Sequence, residues 1–385
     1  MMERTEISNA SASKGVDFER DVYCLMGLPI DALDMDGAVQ RLRQAAFSNT
    51  RCFVSTVNLN FLMAARGDAA FRDSVLHSDL SLADGMPLVW VARLLGLPIR
   101  ERVSGAGLFE RLAQHPGPPI KVFFFGGPDG AAQAACGRIN QASGGLRCVG
   151  FDSPGFGSVE QMSNADRIER INRSGAQFIV VALGAKKGQA WIERNRAHLQ
   201  APVLCHLGAV VNFAAGTVRR APAWVQALGA EWLWRVKEEP HLWRRYLRDG
   251  WLLLRLFFRC VLPYKFDLFC ERAIPARGGA AIINVVESAA ETSIALSGHL
   301  TREHGQVLRA ALARSLSRHL PLSVDLGNVA NMDARVIGLL MLAYGAFEVD
   351  RGFSAVNATP RLARLLQYNC AEFLIKSVRR PFPRH

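Results

Sequence analysis

Between Cys52 and Phe213, short apolar runs alternate with helical segments, and no other feature narrows the fold as much. "RCFVST" leads into a helix near Asn60 to Ala70. "KVFFFGG" (121–127) leads through "PDG" into "AAQAACGRINQA", and "AQFIVVALG" (176–184) leads into "QAWIERNRAHL". "PVLCHLG" (202–208) then leads into "VVNFAAG". Runs that are apolar throughout, rather than at every second position, are strands buried on both faces. Strands of that kind alternating with helices predict an α/β fold, a mostly parallel sheet with helices on both faces.

Each strand ends in small or polar residues, so the loops gather along one edge, where ligands bind in open α/β sheets. "STVNLN" (55–60) follows the run Cys52-Phe53-Val54 and places Thr56 and Asn58 there. A helix cap explains the same residues, because Thr and Asn satisfy free N–H groups at a helix start. "SLADGMPLVW" (81–90) places Asp84 and Gly85 in an Asp-Gly turn, from which the carboxylate projects. "FGGPDG" (125–130) puts Gly126 and Gly127 between a strand and a helix, where backbone N–H groups can approach a phosphate. It lacks the Walker lysine and the G-x-G-x-x-G spacing. No Gly-x-Ser-x-Gly elbow and no metal-ligand spacing of histidines is present. A lone residue such as His206 reads as a packed core histidine.

The net charge of +12 suggests an anionic partner: a nucleic acid, an anionic membrane surface or a phosphate-bearing substrate. Much of the charge lies in Glu231 to Lys265. At about 100° per residue, Arg244, Arg248, Arg255 and Arg259 fall within an arc of about 60°. Leu253, Leu254, Phe257, Cys260 and Val261 lie across the helix. A basic amphipathic helix with Trp at its margins reads as lying in a membrane interface, with Phe257 among the inserting residues. A docked surface helix with solvated arginines is the alternative. No apolar run reaches the ~20 residues that span a bilayer. No nucleic-acid motif accompanies the charge, so no nucleic acid is expected. None of the eight cysteines forms a C-x-x-C pair, which predicts buried reduced thiols and neither a zinc site nor a disulfide framework.

"AIPARGGA" (273–280) breaks the pattern, and a second set of strands and helices follows. The expected organisation is a disordered tail over 1–21, a first domain over 22–272 that includes the basic segment 231–265, a linker over 273–280, a smaller independent α/β domain over 281–376 and a tail over 377–385. The polar N-terminus carries no secretory signal.

Taken together, "STVNLNF", "LADGMPLVW", "RERVSGAGLFERL", "VFFFGG", "VALGAKKGQAW", "GAVVNFAAGTVRRAP" and "LGAEWLWRVKEEP" followed by "LWRRYL" resemble the WecG/TagA/CpsF family of bacterial glycosyltransferases, in the family's order, from about Val22 to about Lys265. The resemblance implies a Rossmann-like sheet. It implies an inverting transfer of a hexose, of the N-acetylmannosamine type or related, from a UDP-sugar to a polyprenyl-diphosphate-linked acceptor in exopolysaccharide or surface-glycan biosynthesis. It implies work at the inner face of the cytoplasmic membrane, with no metal and no cofactor. Carried over, Asp84 is the general base, and Thr56 and Asn58 line the pocket. Gly85, Gly126, Gly127, Lys187, Gln189, Arg219, Arg220, Arg235 and Arg245 are the substrate-binding candidates. Gly107, Gly188 and Asn212 stand where the family has Asp, Gln and Asp.

Residues 282–374 resemble a STAS domain through "ALSGHLT" (295–301) and "LSVDLGNVANMDARVIGLL" (322–340). Where regulatory members carry a phosphorylated Ser, this chain has Asp333-Ala334-Arg335-Val336, with no hydroxyl, so docking or assembly is expected there. The resemblance leaves room for a protein partner and for a homo-oligomer. The second function reading is a non-catalytic nucleotide-sugar sensor or scaffold acting through the STAS-like domain.

Overall fold

A computed structural model describes residues 16–142, 144–227, 229–273, 281–348 and 352–376. The expected linker beyond 273 and the tail 377–385 lie outside the described residues.

The first domain opens with an antiparallel hairpin, β1 (Val22–Leu25) and β2 (Leu28–Asp31). It turns at Met26 and Gly27, both at positive φ (51° and 90°), the backbone a two-residue hairpin needs. Six strands form the main sheet: β3 (Cys52–Val57), β4 (Leu80–Ala83), β5 (Ile120–Gly126), β6 (Leu146–Asp152), β7 (Phe178–Ala182) and β8 (Val203–His206). Their order is β4-β3-β8-β7-β5-β6, and every pairing is parallel. β3, β4 and β8 are buried along their whole length, which is why they are mostly apolar. Helices Met35–Phe47, Gly105–Gln114, Ala131–Ala142 and Val210–Ala215 cover one face. Helices Leu59–Gly67, Ala69–Leu76, Met86–Leu95, Ala165–Arg173 and Ala185–Asn195 cover the other.

The second domain has four strands, β9 (Ile282–Glu287), β10 (Thr292–Leu300), β11 (Leu322–Met332) and β12 (Phe353–Val356), in the order β12-β11-β10-β9. Only β9 is antiparallel to its neighbour.

Three expectations change. The tail expected over 1–21 is built into the fold from residue 16 onward. Phe18 is in the core, and Arg20 forms a buried bidentate pair with Asp31 at 3.0 and 2.7 Å while its Nη1 donates to the Ser78 carbonyl at 2.6 Å. The second domain is not independent. Val22 and Cys24 belong to its apolar core, while Tyr23 and Leu25 belong to the core beneath the first domain's helices. Side chains alternate across a strand, and here each face of β1 has its own core to fill. Helix Ala334–Glu348 lies against β1, and a Cβ on Gly338 would stand 3.0 Å from the Val22 carbonyl oxygen, so a side chain there would crowd the strand's backbone. Lastly, Cys136 and Cys148 are disulfide-bonded, joining helix Ala131–Ala142 to β6, because the strand returns beside the helix that precedes it. Cys24, Cys52, Cys205, Cys260, Cys270 and Cys370 are free thiols, as expected.

The stretch Asp333 to Val336 sits at this junction. Asp333 Oδ1 accepts from the N–H groups of Arg335 and Val336 at 3.0 and 2.9 Å. Ala334 is buried, and Arg335 pairs with Asp21 at 3.0 Å. The stretch where the STAS resemblance would place a serine is thus packed on the chain's own hairpin segment.

Candidate functional site

β3 continues into helix Leu59–Gly67 on one face of the sheet, while its neighbour β8 continues into helix Val210–Ala215 on the other. Adjacent strands whose connections diverge leave a crevice at their carboxyl ends. Thr56, Asn58 and His206 stand at its rim, and Asp84 follows on β4.

Asn58 is the N-cap of its helix: Oδ1 accepts from the Phe61 N–H at 3.2 Å. Thr56 is no cap. It lies within β3, buried, and faces the start of helix Gly105–Gln114. A Cβ on Gly105 would stand 3.4 Å from Thr56 Oγ1 and 2.4 Å from Leu207 Cδ2, so glycine brings this helix start against the strand ends. Gly105 N–H donates to Asp84 Oδ2 at 3.3 Å, and the Asp84 N–H donates to the Val57 carbonyl at 2.7 Å. The positive end of a helix therefore meets the Asp84 carboxylate. Burial nonetheless raises its pKa to about 6, against the lowering pull of Arg102, Gly105 and Arg235 and with the help of Glu231. A carboxyl held near neutrality suits a proton acceptor.

The structure sorts the remaining candidates. Helix Glu231–Glu238 brings Arg235 and Glu231 within electrostatic reach of Asp84, and Glu231 pairs with Arg102 at 2.7 Å. Arg235 also pairs with Glu239 at 2.9 Å. Arg220 is held by Glu110 and Glu231 and lies 3.2 Å from where a Cβ of Gly107 would be, so the missing Asp leaves room for this guanidinium. Arg219 is exposed, and Arg245 lies over the Tyr246 ring at 5.1 Å. Gly85 caps helix Met86–Leu95 beside Asp84. Gly126 and Gly127 have φ of +94° and +92°, and Gly127 N–H donates to the Ala182 carbonyl at 2.9 Å. They lie on the same edge as Asp84 but three strands from β3.

Two substrate-binding candidates point elsewhere. Lys187 Nζ donates to the Gly157 carbonyl at 3.0 Å. Gln189 is fully buried, and its Nε2 donates to Ser55 Oγ at 2.6 Å, tying helix Ala185–Asn195 to β3. Sequence reasoning missed Arg102, Ser104, Gly105 and Glu231. The Ser-Gly start of "SGAGLF", a helix opening after a basic loop, was the available signal.

The basic segment folds as helix Trp243–Leu256, a π turn Phe257–Val261 and helix Leu262–Ala273. Arg244, Arg248, Arg255 and Arg259 are all exposed. The apolar side expected to face a membrane instead faces inward, with the exception of Leu254. Phe257 is half-buried and, with Leu253, Cys260 and Val261, packs on the core beneath helix Leu59–Gly67. The exposed apolar stripe is Trp243, Leu247, Trp251, Leu254, Phe258, Leu262, Phe266 and Phe269. Among the described residues no helix is long and apolar enough to cross a membrane.

Comparison with known proteins agrees with this geometry. A family model described as "Glycosyl transferase WecG/TagA/CpsF family" matches residues 23–266, a span longer than half of the chain. A model described as "Mlab, STAS domain" matches residues 283–370. An N-acetylglucosaminyldiphosphoundecaprenol N-acetyl-beta-D-mannosaminyltransferase of Bacillus spizizenii is 28% identical over 200 residues, 52% of this chain and 76% of that protein. A protein of the same name from Bacillus subtilis is 26% identical over 195 residues, 50% of this chain and 74% of that one. With a parallel six-stranded sheet, a strand-end carboxylate and this match across both, the chain belongs to the WecG/TagA/CpsF family of glycosyltransferases and carries a C-terminal STAS domain.

Proposed function

We propose that the chain transfers a hexose, of the N-acetylmannosamine type or related, from a UDP-sugar to a sugar hydroxyl on a polyprenyl-diphosphate-linked acceptor, in exopolysaccharide or surface-glycan assembly. The observation that carries this reading is Asp84, a carboxyl raised to about 6 at a strand-end crevice, beside Thr56 and a helix start. Its carboxylate takes the acceptor proton as the acceptor oxygen bonds to the anomeric carbon. The bond from that carbon to UDP breaks with its electron pair on the phosphate, and a single displacement of this kind inverts the centre. Arginines of the C-terminal segment, Arg235 nearest to Asp84, supply the charge that steadies the departing diphosphate. The names of both relatives support an acceptor with a polyprenyl diphosphate.

The exposed stripe and the four arginines beside it support work at an anionic membrane surface; the cytoplasmic side is taken from the family resemblance. Radiolabel from a panel of UDP-hexoses is expected to pass to a polyprenyl-diphosphate-linked N-acetylglucosamine acceptor with the wild type. Failure of every UDP-hexose to label that acceptor would sink the proposal.

A further inference from the structure

His206 is the last residue of β8, at the crevice beside β3. Its ring sits between Phe61, at 6.2 Å between ring centroids, and the backbone of Gly188. A Cβ on Gly188 would stand 2.2 Å from His206 Cδ2 and 2.9 Å from Cγ. No side chain fits at 188 while this ring is in place. Gly208 shows the same relation more mildly, with its Cβ position 3.3 Å from His206 Nε2. The departure from the family pattern at Gly188 therefore has a physical counterpart: the imidazole occupies the volume in which a side chain at 188 would begin.

The ring is also unfinished as a hydrogen-bonding group. His206 is 8% exposed, and its Nε2 has no partner among the described residues. A buried polar atom left unsatisfied costs stability, and such atoms persist where a ligand or water completes them. Burial lowers the pKa of His206 to about 4, so the ring is neutral near pH 7. A neutral imidazole offers one donor and one acceptor. A phosphate accepts only and favours cations, whereas a sugar hydroxyl or acetamido group both donates and accepts. The polar sugar of the donor is the better match.

We propose that His206 is a specificity-determining residue for the donor sugar, its uncharged ring hydrogen-bonding a hydroxyl or acetamido group from the place left open by the missing side chain at Gly188. This rests on the UDP-sugar reading above.

Four variants test it: His206→Gly, His206→Gln, Gly188→Gln and the double variant Gly188→Gln/His206→Gly. Donor KM, acceptor KM, kcat and melting temperature are measured for each. His206→Gly is expected to raise donor KM about tenfold, the loss of one hydrogen bond, while acceptor KM stays within about twofold. His206→Gln keeps a donor and an acceptor and is expected to change the ranking of UDP-hexoses more than the melting temperature. Gly188→Gln alone is expected to melt early, because its Cβ collides with the ring. The double variant is expected to recover both the melting temperature and most of the donor KM. Recovery of melting temperature by the double variant beside a His206→Gly donor KM equal to wild type would reduce the pair to packing and overturn the proposal. So would a folded His206→Gly protein with wild-type donor KM and an unchanged ranking of UDP-hexoses. Should the wild type itself neither turn over nor be stabilised by any UDP-hexose, the UDP-sugar reading fails and this proposal falls with it. A wild type that responds beside a His206→Gly that responds equally removes His206 alone.

Discussion

At the scale of single residues, Asp84 links stability and chemistry in opposite directions. Its folded pKa of about 6 lies above the ~4 of an unfolded aspartate. The stability it contributes is present below about pH 4 and is lost as the pH rises through about 6. The form that accepts a proton is thus the one the fold tolerates less. Asp84→Asn is expected to cut kcat by about a hundredfold to ten-thousandfold with UDP binding retained. The same variant is expected to melt a few degrees higher than wild type at pH 7.5, with the gain fading near pH 4. Calorimetry at the two pH values and a kcat profile whose acid limb falls near 6 check both halves; an acid limb near 4 would remove Asp84 as the base. Thr56→Val is close to isosteric and is expected to lower activity per folded molecule far more than the melting temperature. That Thr56, Asn58 and Asp84 lie near strand ends was legible in the sequence, because a run's end is visible in a single chain; the roles proposed for them came from the family resemblance. Arg102, Gly105 and Glu231 were not legible, because their meeting with Asp84 depends on loops and on helix Glu231–Glu238 folding back.

At the scale of elements, the basic helix shows what periodicity settles and what it leaves open. Spacing at 100° picked out four arginines that are all exposed. It did not tell which apolar side looks outward, since Leu253, Phe257, Cys260 and Val261 are as apolar as Trp251, Leu254 and Phe258. Which side is covered depends on the core supplied by distant segments. The π turn Phe257–Val261 has its own role here. Residues four apart on an α-helix drift by about 40°, and a wider turn sets that drift back. Phe258, Leu262, Phe266 and Phe269 thereby continue the line of Trp243, Leu247, Trp251 and Leu254. Each arginine near an anionic surface adds about 1 kcal/mol. Reversing all four to Glu is expected to release nearly all protein from anionic vesicles in flotation, and high salt to release much of it. Trp251→Ser/Phe258→Ser is expected to weaken flotation without lowering the melting temperature, whereas Phe257→Ser lowers the melting temperature. Equal flotation of the wild type and the charge reversal would contradict an interfacial role.

At the scale of the whole molecule, the two domains share one strand. Both domain types and the mostly parallel character of the main sheet were readable from sequence. The shared hairpin was not, because β1 and β2 are four residues each and helix Ala334–Glu348, which covers one face of β1, lies more than 300 residues away. Gly338→Leu is expected to separate helix Ala334–Glu348 from β1 and to lower the melting temperature of the whole chain. Removing residues 274–385 is expected to leave a product that aggregates, since Val22, Cys24 and Leu76 lose the core they help to fill. Scanning calorimetry of the intact chain is expected to show one transition; two well-separated transitions would show that the domains unfold apart.

The shared strand also imposes an order on biosynthesis. β1 leaves the ribosome well before helix Ala334–Glu348, which completes its second face and lies more than 300 residues further along the chain. At translation rates of about 5–20 residues per second, the hairpin waits roughly a quarter of a minute to a minute with Val22 and Cys24 uncovered. A message cut short before that helix therefore yields a chain whose exposed hairpin face marks it for chaperones and proteases.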